Sequence, residues 1–197
     1  MDILETLIRI GSMNAFEVVG EIFQVFQKRG QRSYGEHVTE QQHALQCATF
    51  AQQEGEPAEV VAACLLHDFG HLLHDLGEDI ADHGVDARHE RLGANKLSKW
   101  FGAGVVEPVR LHAESKRYLC CKEPGYYAGL SEASQQSLAL QGGPMTDSEA
   151  AAFEKGPHFE RAVRVRRYDD RGKVKDMQTP ELESFRPLLE GLVVNGE

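Results

Sequence analysis

Histidine and aspartate residues at regular spacing along the chain are the side chains best suited to chemistry. His43 and His67 lie 24 residues apart, and Asp68 follows His67 directly in the run LLHDFGH. His89 comes 21 residues after Asp68, and His112 comes 23 residues after His89. Imidazole nitrogen and carboxylate oxygen together are typical ligands of iron, manganese or zinc, whereas calcium prefers more oxygen and structural zinc more sulfur. The pattern therefore favours a site for a transition metal.

Asp68 follows one of the most apolar stretches of the chain, AACLL at 62–66. A carboxylate that is buried without a partner costs several kcal/mol, so this one needs a cation nearby. Adjacent residues of an α-helix differ by about 100° in direction. His67 and Asp68 could therefore each address one metal ion, or Asp68 could bridge two.

A single histidine on an apolar helix face is more often a hydrogen-bonded core residue than a metal ligand. The candidate ligands of this chain, however, are distributed over successive predicted helices, one histidine on each. Helical bundles build metal sites in this way, with side chains of facing helices directed at a common centre. Taken together, the four histidines and Asp68 therefore favour a metal site over separate core positions.

Helical periodicity dominates the chain, and no run alternates as a half-buried strand does. Thr39 is a favourable N-cap residue, and the sequence GGPM at 142–145 predicts a bend. We expect an all-α helical bundle in a single domain, with N-terminal helices and a lid loop at 1–35, a core at 36–176 and a C-terminal helix at 177–197. The predicted helices lie at 3–10, 16–26, 39–53, 58–73, 86–101 and 105–119, followed by shorter helices between 131 and 168 and a last helix from about Pro180.

The charge of the chain argues against one class of partner. The formal net charge is −10, from 21 basic and 31 acidic residues, which repels the phosphate backbone of nucleic acid at long range. An anionic small molecule is not excluded, since a few basic side chains can reverse the sign inside a pocket. We therefore expect no nucleic-acid partner.

The expected location is cytoplasmic. None of the four cysteines forms a C-x-x-C pair, so they are interpreted as reduced thiols. The first 16 residues, MDILETLIRIGSMNAF, lack the basic start and long apolar run of a signal peptide. No run approaches the roughly 18 apolar residues of a membrane span. We expect a soluble protein with no membrane partner.

The order H…HD…H…H…D on successive helices resembles the HD-domain superfamily of metal enzymes. The two histidines between the HD pair and the last Asp make the chain similar to the diiron oxygenase branch, which includes inositol oxygenases and phosphonate-cleaving oxygenases. The similarity to the phosphonate-cleaving group extends over roughly residues 34–176. It is carried by the stretches QHALQCA, AACLLHDFGH, HERLGA, HAESKRYL, LSEASQQSLALQGGPM and RRYDDRGK.

This resemblance implies an HD-domain bundle that binds two iron ions, with Asp68 bridging them. The pattern alone does not separate Asp169 from Asp170, and the first of the two is chosen because the stretch YDDRGK resembles the family. A mixed-valent Fe2+/Fe3+ pair with O2 as co-substrate is also implied. The implied iron ligands are His43, His67, Asp68, His89, His112 and Asp169.

Further residues are placed near the substrate. His71 lies one turn after His67, and Lys116 one turn after His112, so each shares a helix face with a candidate ligand. A dianionic phosphonate requires cationic and hydroxyl donors. By the resemblance, the residues that contact the phosphonate are His71, Lys116, Ser134, Gln141 and Arg166.

The loop RSYGEH before His43 corresponds to a family loop that closes over the site. The resemblance gives Tyr34 and Glu36 of this loop a catalytic role, and Glu36 a substrate contact as well. Tyr34 lies one residue closer to His43 than the family tyrosine does, so the sequence leaves open whether it covers the site or binds iron.

The reaction implied by the resemblance oxidises a 1-hydroxy-2-aminoalkyl phosphonate with O2 and gives a carboxylate and phosphate. Overall similarity favours (R)-1-hydroxy-2-(trimethylammonio)ethylphosphonate, which would give glycine betaine. The alternatives are the same chemistry on 1-hydroxy-2-aminoethylphosphonate, a metal-dependent phosphohydrolase of the HD type, and a regulatory module without activity. The expected partner is thus a small organophosphonate, and the sequence specifies no oligomeric state.

Overall fold

The computed structural model describes residues 13–34, 37–74 and 88–194. Within these ranges the regular elements are helical, and β-structure is limited to two isolated bridges. The prediction of a single all-α domain is confirmed, while the helix predicted at 3–10 lies outside the described residues. The α-helices are α1 (Ala15–Arg29), α2 (Glu40–Gln53), α3 (Ala58–Leu66), α4 (His89–Leu97), α5 (Ala103–Lys122), α6 (Tyr126–Gly129), α7 (Glu132–Leu140), α8 (Asp147–Phe153), α9 (Phe159–Arg171) and α10 (Arg186–Glu190), with 3₁₀ turns at Phe69–Leu73 and Leu182–Phe185.

Five helices surround the candidate ligands. α5 packs along α9, α4 and α3, while α2 packs against α3 and α9. The buried face of α5 carries Val105, Val109, His112 and Lys116, which recur at the spacing of one helix face. The bundle therefore places polar side chains of α5 in line with its apolar core residues.

The start of α2 follows directly from its sequence. The side chain of Thr39 accepts a hydrogen bond from the backbone N–H of Gln42, and the side chain of Gln42 accepts one from the backbone N–H of Thr39. This reciprocal cap satisfies two backbone donors that the helix leaves unpaired. It confirms the predicted N-cap and fixes the helix that carries His43.

The predicted continuous helix at 58–73 is wrong beyond Leu66. The α-helix ends there, and a 3₁₀ turn follows at Phe69–Leu73. A Cβ added to Gly70 would lie 1.9 Å from the carbonyl oxygen of His89, so the turn packs directly on the start of α4. The break between helix and turn lies at His67 and Asp68 and redirects the chain there, so that these consecutive side chains reach one centre.

The hydrophobic core contains side chains from α1, α5, α9 and the C-terminal segment. It is formed by aliphatic and aromatic side chains, among them Ile22, Phe26, Leu66 and Leu189. None of the described helices is both long enough and apolar enough to cross a membrane.

Candidate metal centre

His43 of α2 and His67 at the end of α3 meet at their Nε2 atoms, which lie 3.1 Å apart. Each ring is held from behind, because Nδ1 of His43 donates to the carbonyl of Gly172 at 2.9 Å and Nδ1 of His67 donates to the carbonyl of Cys64 at 2.8 Å. With the proton on Nδ1, each Nε2 presents a lone pair. Two lone pairs at this distance repel each other unless a cation, either a proton or a metal ion, lies between them.

A second pair of imidazoles repeats this arrangement. Nε2 of His89 lies 3.1 Å from Nε2 of His112, and Nδ1 of His112 donates to the carbonyl of Val109 at 2.7 Å. Nitrogens at neighbouring positions around an ion with bonds of about 2.1 Å lie about 3 Å apart. Both histidine pairs therefore have the spacing of metal ligands.

Asp68 lies between the two pairs. Its Oδ2 is 3.1 Å from Nε2 of His67 and 3.5 Å from Nε2 of His43. Its Oδ1 is 3.3 Å from Nε2 of His89 and 3.5 Å from Nε2 of His112. One carboxylate thus presents one oxygen to each pair, which is the arrangement of a bridging ligand.

Asp169 of α9 adds a second carboxylate to the first pair only. Its Oδ1 is 3.5 Å from Nε2 of His43 and 3.9 Å from Nε2 of His67. Its Oδ2 accepts a 2.6 Å hydrogen bond from Nη1 of Arg166. We call the group of His43, His67, Asp169 and Oδ2 of Asp68 the first metal position, and the group of His89, His112 and Oδ1 of Asp68 the second metal position.

The polar atoms of these groups fit metal ions. Oδ2 of Asp68 and Oδ1 of Asp169 are buried and accept no hydrogen bond from the described residues. Uncompensated carboxylate oxygens are costly in the interior, so a cation is needed between them and the ring nitrogens that face them. A nitrogen and oxygen donor set of this kind suits iron, manganese or zinc. The six predicted ligands therefore converge, and the two metal positions share Asp68.

The surroundings shift the pKa values of two buried histidines of the centre in opposite directions. Burial alone lowers the pKa of His67, but the Asp68 and Asp169 carboxylates outweigh it and raise this pKa to about 9. His112 is buried as well, and its pKa is lowered to about 3 despite the opposing effect of Asp68. The first metal position, which has two carboxylates, thus attracts positive charge more strongly than the second.

Of the predicted substrate residues, His71 borders the second metal position, and Lys116 lies one helical turn from its ligand His112. The ring of His71 stacks on that of His89 at 3.9 Å between centroids, and its Nε2 lies 3.9 Å from Oδ1 of Asp68. Lys116 is buried, and its Nζ donates to Oγ of Ser137 at 2.6 Å. Burial and the neighbouring Arg166 lower the pKa of Lys116 to about 7.

The remaining predicted substrate residues lie on α7, at its C-terminal end and on α9. Ser134 is buried, with its Oγ 3.5 Å from Nζ of Lys173. Oε1 of Gln141 is buried and accepts no hydrogen bond from the described residues. Arg166 is buried beside Asp169. Their contact with a phosphonate stays a prediction.

Tyr34 lies over the first metal position. Its ring stacks on that of His43 at 3.9 Å between centroids and 11° between planes. Burial, with Asp68 and Asp169 nearby, raises the pKa of the phenol, which keeps it protonated. Tyr34 therefore covers the His43 ring in this structure, while Glu36 lies outside the described residues.

Several residues around the centre were missed at the level of sequence. Tyr126 and Asp170 both contact Arg166. The carbonyl of Gly172 accepts a hydrogen bond from the His43 ring. Ser137 and Lys173 contact the predicted substrate residues Lys116 and Ser134. Only Gly172, four residues beyond the shorter helices predicted between 131 and 168, carried a local signal, that of a helix terminus. The other four are ordinary polar residues whose role depends on the packing of distant elements.

Comparison with known proteins places the chain. Residues 41–152 match the HD domain family. The chain is 42% identical over 185 residues, 93% of its length and 94% of the relative's, to 1-hydroxy-2-(trimethylamino)ethyl phosphonate dioxygenase (glycine-betaine-forming) of Leisingera caerulea. It is 44% identical over 176 residues, 88% of its length and 87% of the relative's, to hydroxymethylphosphonate dioxygenase of Gimesia maris. The chain therefore belongs to the HD domain family, in the group that contains these phosphonate dioxygenases.

Proposed function

We propose that the chain is an organophosphonate dioxygenase, an oxidoreductase that cleaves the carbon–phosphorus bond of a 1-hydroxyalkyl phosphonate with two iron ions and O2. The observation that carries this proposal is the pair of donor groups that share Asp68, one oxygen facing each. Both named relatives are phosphonate dioxygenases and align with most of the chain. A dinuclear site in this family thus supports oxidation of a small phosphonate.

The proposed cofactor is a mixed-valent Fe2+/Fe3+ pair held by the six ligands of the two metal positions. When bound, the iron pair supplies the redox chemistry that activates O2. The first metal position has two carboxylates and suits the higher charge, while the second has one and suits the lower charge. The protein fixes this difference through Asp169, which faces only the first position.

Substrate is proposed to bind at the second metal position. There the described residues provide three donors, which leaves room for substrate oxygens around an ion. His71 lies beside this position, and Lys116, Ser134, Gln141 and Arg166 are the proposed cationic and polar donors for a dianionic phosphonate. These side chains would hold the phosphonate while its C1 carbon lies near the metals.

The reaction balances without an external reductant. The C1–H and C1–P bonds break, the C1 carbon becomes a carboxylate, and phosphorus leaves as inorganic phosphate. O2 supplies the two added oxygen atoms, and one proton is released for each turnover. The enzyme therefore needs only phosphonate and O2 once the irons are in place.

The substrate that we favour is (R)-1-hydroxy-2-(trimethylammonio)ethylphosphonate, with glycine betaine as product, and its support is the 42% identity to the Leisingera caerulea relative over 93% of the chain. A second candidate is hydroxymethylphosphonate, which is named for the Gimesia maris relative that is 44% identical over 88% of the chain. One contact favours it, because Nζ of Lys173 lies 5.7 Å from the centroid of the Tyr34 ring, where a trimethylammonium group would otherwise find an aromatic face.

The test uses iron-loaded protein with three substrates in parallel: the trimethylammonio compound, its 2-amino analogue and hydroxymethylphosphonate. We expect phosphate release that equals O2 consumption, with the highest kcat/KM for the trimethylammonio compound. Faster turnover of hydroxymethylphosphonate would transfer the assignment to the second candidate. Phosphate release that continues unchanged without O2, or hydrolysis of p-nitrophenyl phosphate at a comparable rate, would instead support a phosphohydrolase.

A further inference from the structure

A polar cluster with a buried arginine at its centre lies directly behind the candidate ligand Asp169. It consists of Arg166, Asp170 and Tyr126, and we call it the arginine cluster. We infer that Asp170 and Tyr126 are positioning residues, which hold Arg166 and, through it, hold Asp169 in the orientation that the first metal position requires. This inference rests on the proposed function, because it assigns a role in iron binding.

The guanidinium of Arg166 is engaged on three nitrogens. Nη1 donates to Oδ2 of Asp169 at 2.6 Å, Nη2 donates to Oδ1 of Asp170, and Nε donates to the phenol oxygen of Tyr126 at 3.1 Å. The planar fork of an arginine orients its partners when several of its N–H groups are used at once. Arg166 is only 3% exposed, and its contact with Asp169 is buried, while its contacts with Asp170 and Tyr126 are partly buried.

Tyr126 closes the cluster into a ring. Its hydroxyl donates to Oδ2 of Asp170, which leaves its oxygen free to accept from Nε of Arg166. Both oxygens of Asp170 are then used, one by Arg166 and one by Tyr126. The carboxylate of Asp170 therefore has a fixed orientation, and it fixes the far edge of the guanidinium.

The cluster leaves one oxygen of Asp169 for the metal. Oδ2 of Asp169 accepts from Arg166, while Oδ1 accepts no hydrogen bond from the described residues and faces His43 and His67. Rotation of the carboxylate would exchange these two environments. A rigidly held Arg166 opposes that rotation because it would lose a buried, charge-assisted hydrogen bond.

Asp170 also offsets part of the positive charge that Arg166 presents to Asp169. With Asp170 present, the Arg166 guanidinium is shared between two carboxylates three and four residues along the same helix. If Asp170 were neutral, the whole charge of Arg166 would act on Asp169 and weaken its attraction for a metal ion. Asp170 thus keeps Asp169 a strong ligand by electrostatics as well as by geometry.

A substrate role for Arg166 is compatible with this arrangement. The guanidinium has five N–H groups, and three of them make the contacts above. One N–H on Nη1 and one on Nη2 remain for a substrate. Loss of Asp170 or Tyr126 should therefore reduce metal binding first, whereas loss of a phosphonate contact should raise KM. These two signatures separate a positioning residue from a substrate-binding residue.

The experiment compares Asp170→Asn and Tyr126→Phe with the wild-type chain by titration with Fe2+ and with Co2+, whose visible spectrum reports ligand geometry. We expect Asp170→Asn to weaken binding at one of two sites by about 10- to 100-fold and to alter its Co2+ spectrum. Tyr126→Phe, which preserves the packing of the ring, should show the same change at about a third of that size or less. At saturating iron, kcat should fall while KM for the phosphonate stays constant.

Arg167→Gln is the matched control. Arg167 lies beside Arg166 and pairs with Glu123, near Tyr126 in sequence, but this pair is exposed. The control should bind both ions as the wild type does. Wild-type metal affinity and Co2+ spectra in both test variants, or a raised KM with unchanged metal affinity, would overturn the positioning role. A wild-type chain that binds no stoichiometric metal would contradict the proposed function itself.

Discussion

The two metal positions of the centre differ in how completely the protein surrounds them. The first has two histidines and two carboxylates, all of them buried, and the ring of Tyr34 covers His43. The second has two histidines and one oxygen of Asp68, and His71, which stacks on His89, is 30% exposed. We therefore expect the first position to retain an ion and the second to let an ion exchange ligands.

This difference separates the roles of the ligands. A nearly complete set of donors fixes the charge and position of one ion, while an incomplete set gives substrate a place to bind. Asp68 belongs to both sets, so it is the residue through which the two positions depend on each other. Changes at Asp68 should affect both positions, and changes at the other ligands mainly one.

Asp68→Ala should have the largest effect. It removes the shared carboxylate, so we expect iron content to fall below one ion per chain and phosphate release to fall by at least about 1000-fold. Iron analysis after gel filtration and the phosphate assay measure both quantities. An Asp68→Ala protein that still binds two ions would show that the positions do not depend on a shared ligand.

His89→Ala should separate the two positions. It removes one of three protein donors from the second position and none from the first. We expect one ion per chain to remain tightly bound, while turnover falls by more than the roughly 10- to 100-fold that is typical of changes beyond the direct ligands. Retention of two tightly bound ions, or the loss of both, would contradict the proposed separation.

Lys116→Met should act on substrate and leave both ions in place. Lys116 is buried and lies one helical turn from His112. Loss of a charged hydrogen bond to the phosphonate should raise KM by about 10- to 100-fold. Lys122→Met, at the partly exposed end of the same helix, is the control and should leave KM unchanged. An unchanged KM in Lys116→Met would remove this residue from the substrate site.

Gly172→Ala should have the smallest effect and disturb the first position only. A Cβ at Gly172 would lie 2.3 Å from Sγ of Cys47 and 3.1 Å from Nδ1 of His43, so the His43 ring or the loop must shift. Overpacking of this kind typically costs about 1–3 kcal/mol. We expect a lower melting temperature and weaker binding of one ion. Gly20→Ala, where nothing lies within 4 Å of the added Cβ, should show neither change.

The part of the molecule that the sequence predicted best is the part with local signals. The helical period and the Thr39 cap predicted α2, and the regular recurrence of His43, His89 and His112 on separate helices predicted a shared centre. The choice of Asp169 came from resemblance to a family, because adjacent aspartates on a helix carry no local difference. In the structure only Oδ1 of Asp169 faces the imidazoles, while Asp170 faces Arg166 and Tyr126.

Contacts between distant segments had no such signal. The break after Leu66 depends on the close approach of Gly70 to α4, and the position of the His43 ring depends on a carbonyl 129 residues away. The role of Tyr126 depends on α6 packing near α9. These features follow from tertiary packing, which periodicity and capping residues do not encode.

A crystal structure of the iron-loaded chain, with anomalous diffraction at the iron edge, would locate the metal ions of both positions. We expect two peaks about 3.5–4 Å apart. One should lie among His43, His67 and Asp169, the other between His89 and His112, with a different oxygen of Asp68 bound to each. A single peak, or two peaks without Asp68 between them, would contradict a dinuclear centre bridged by Asp68.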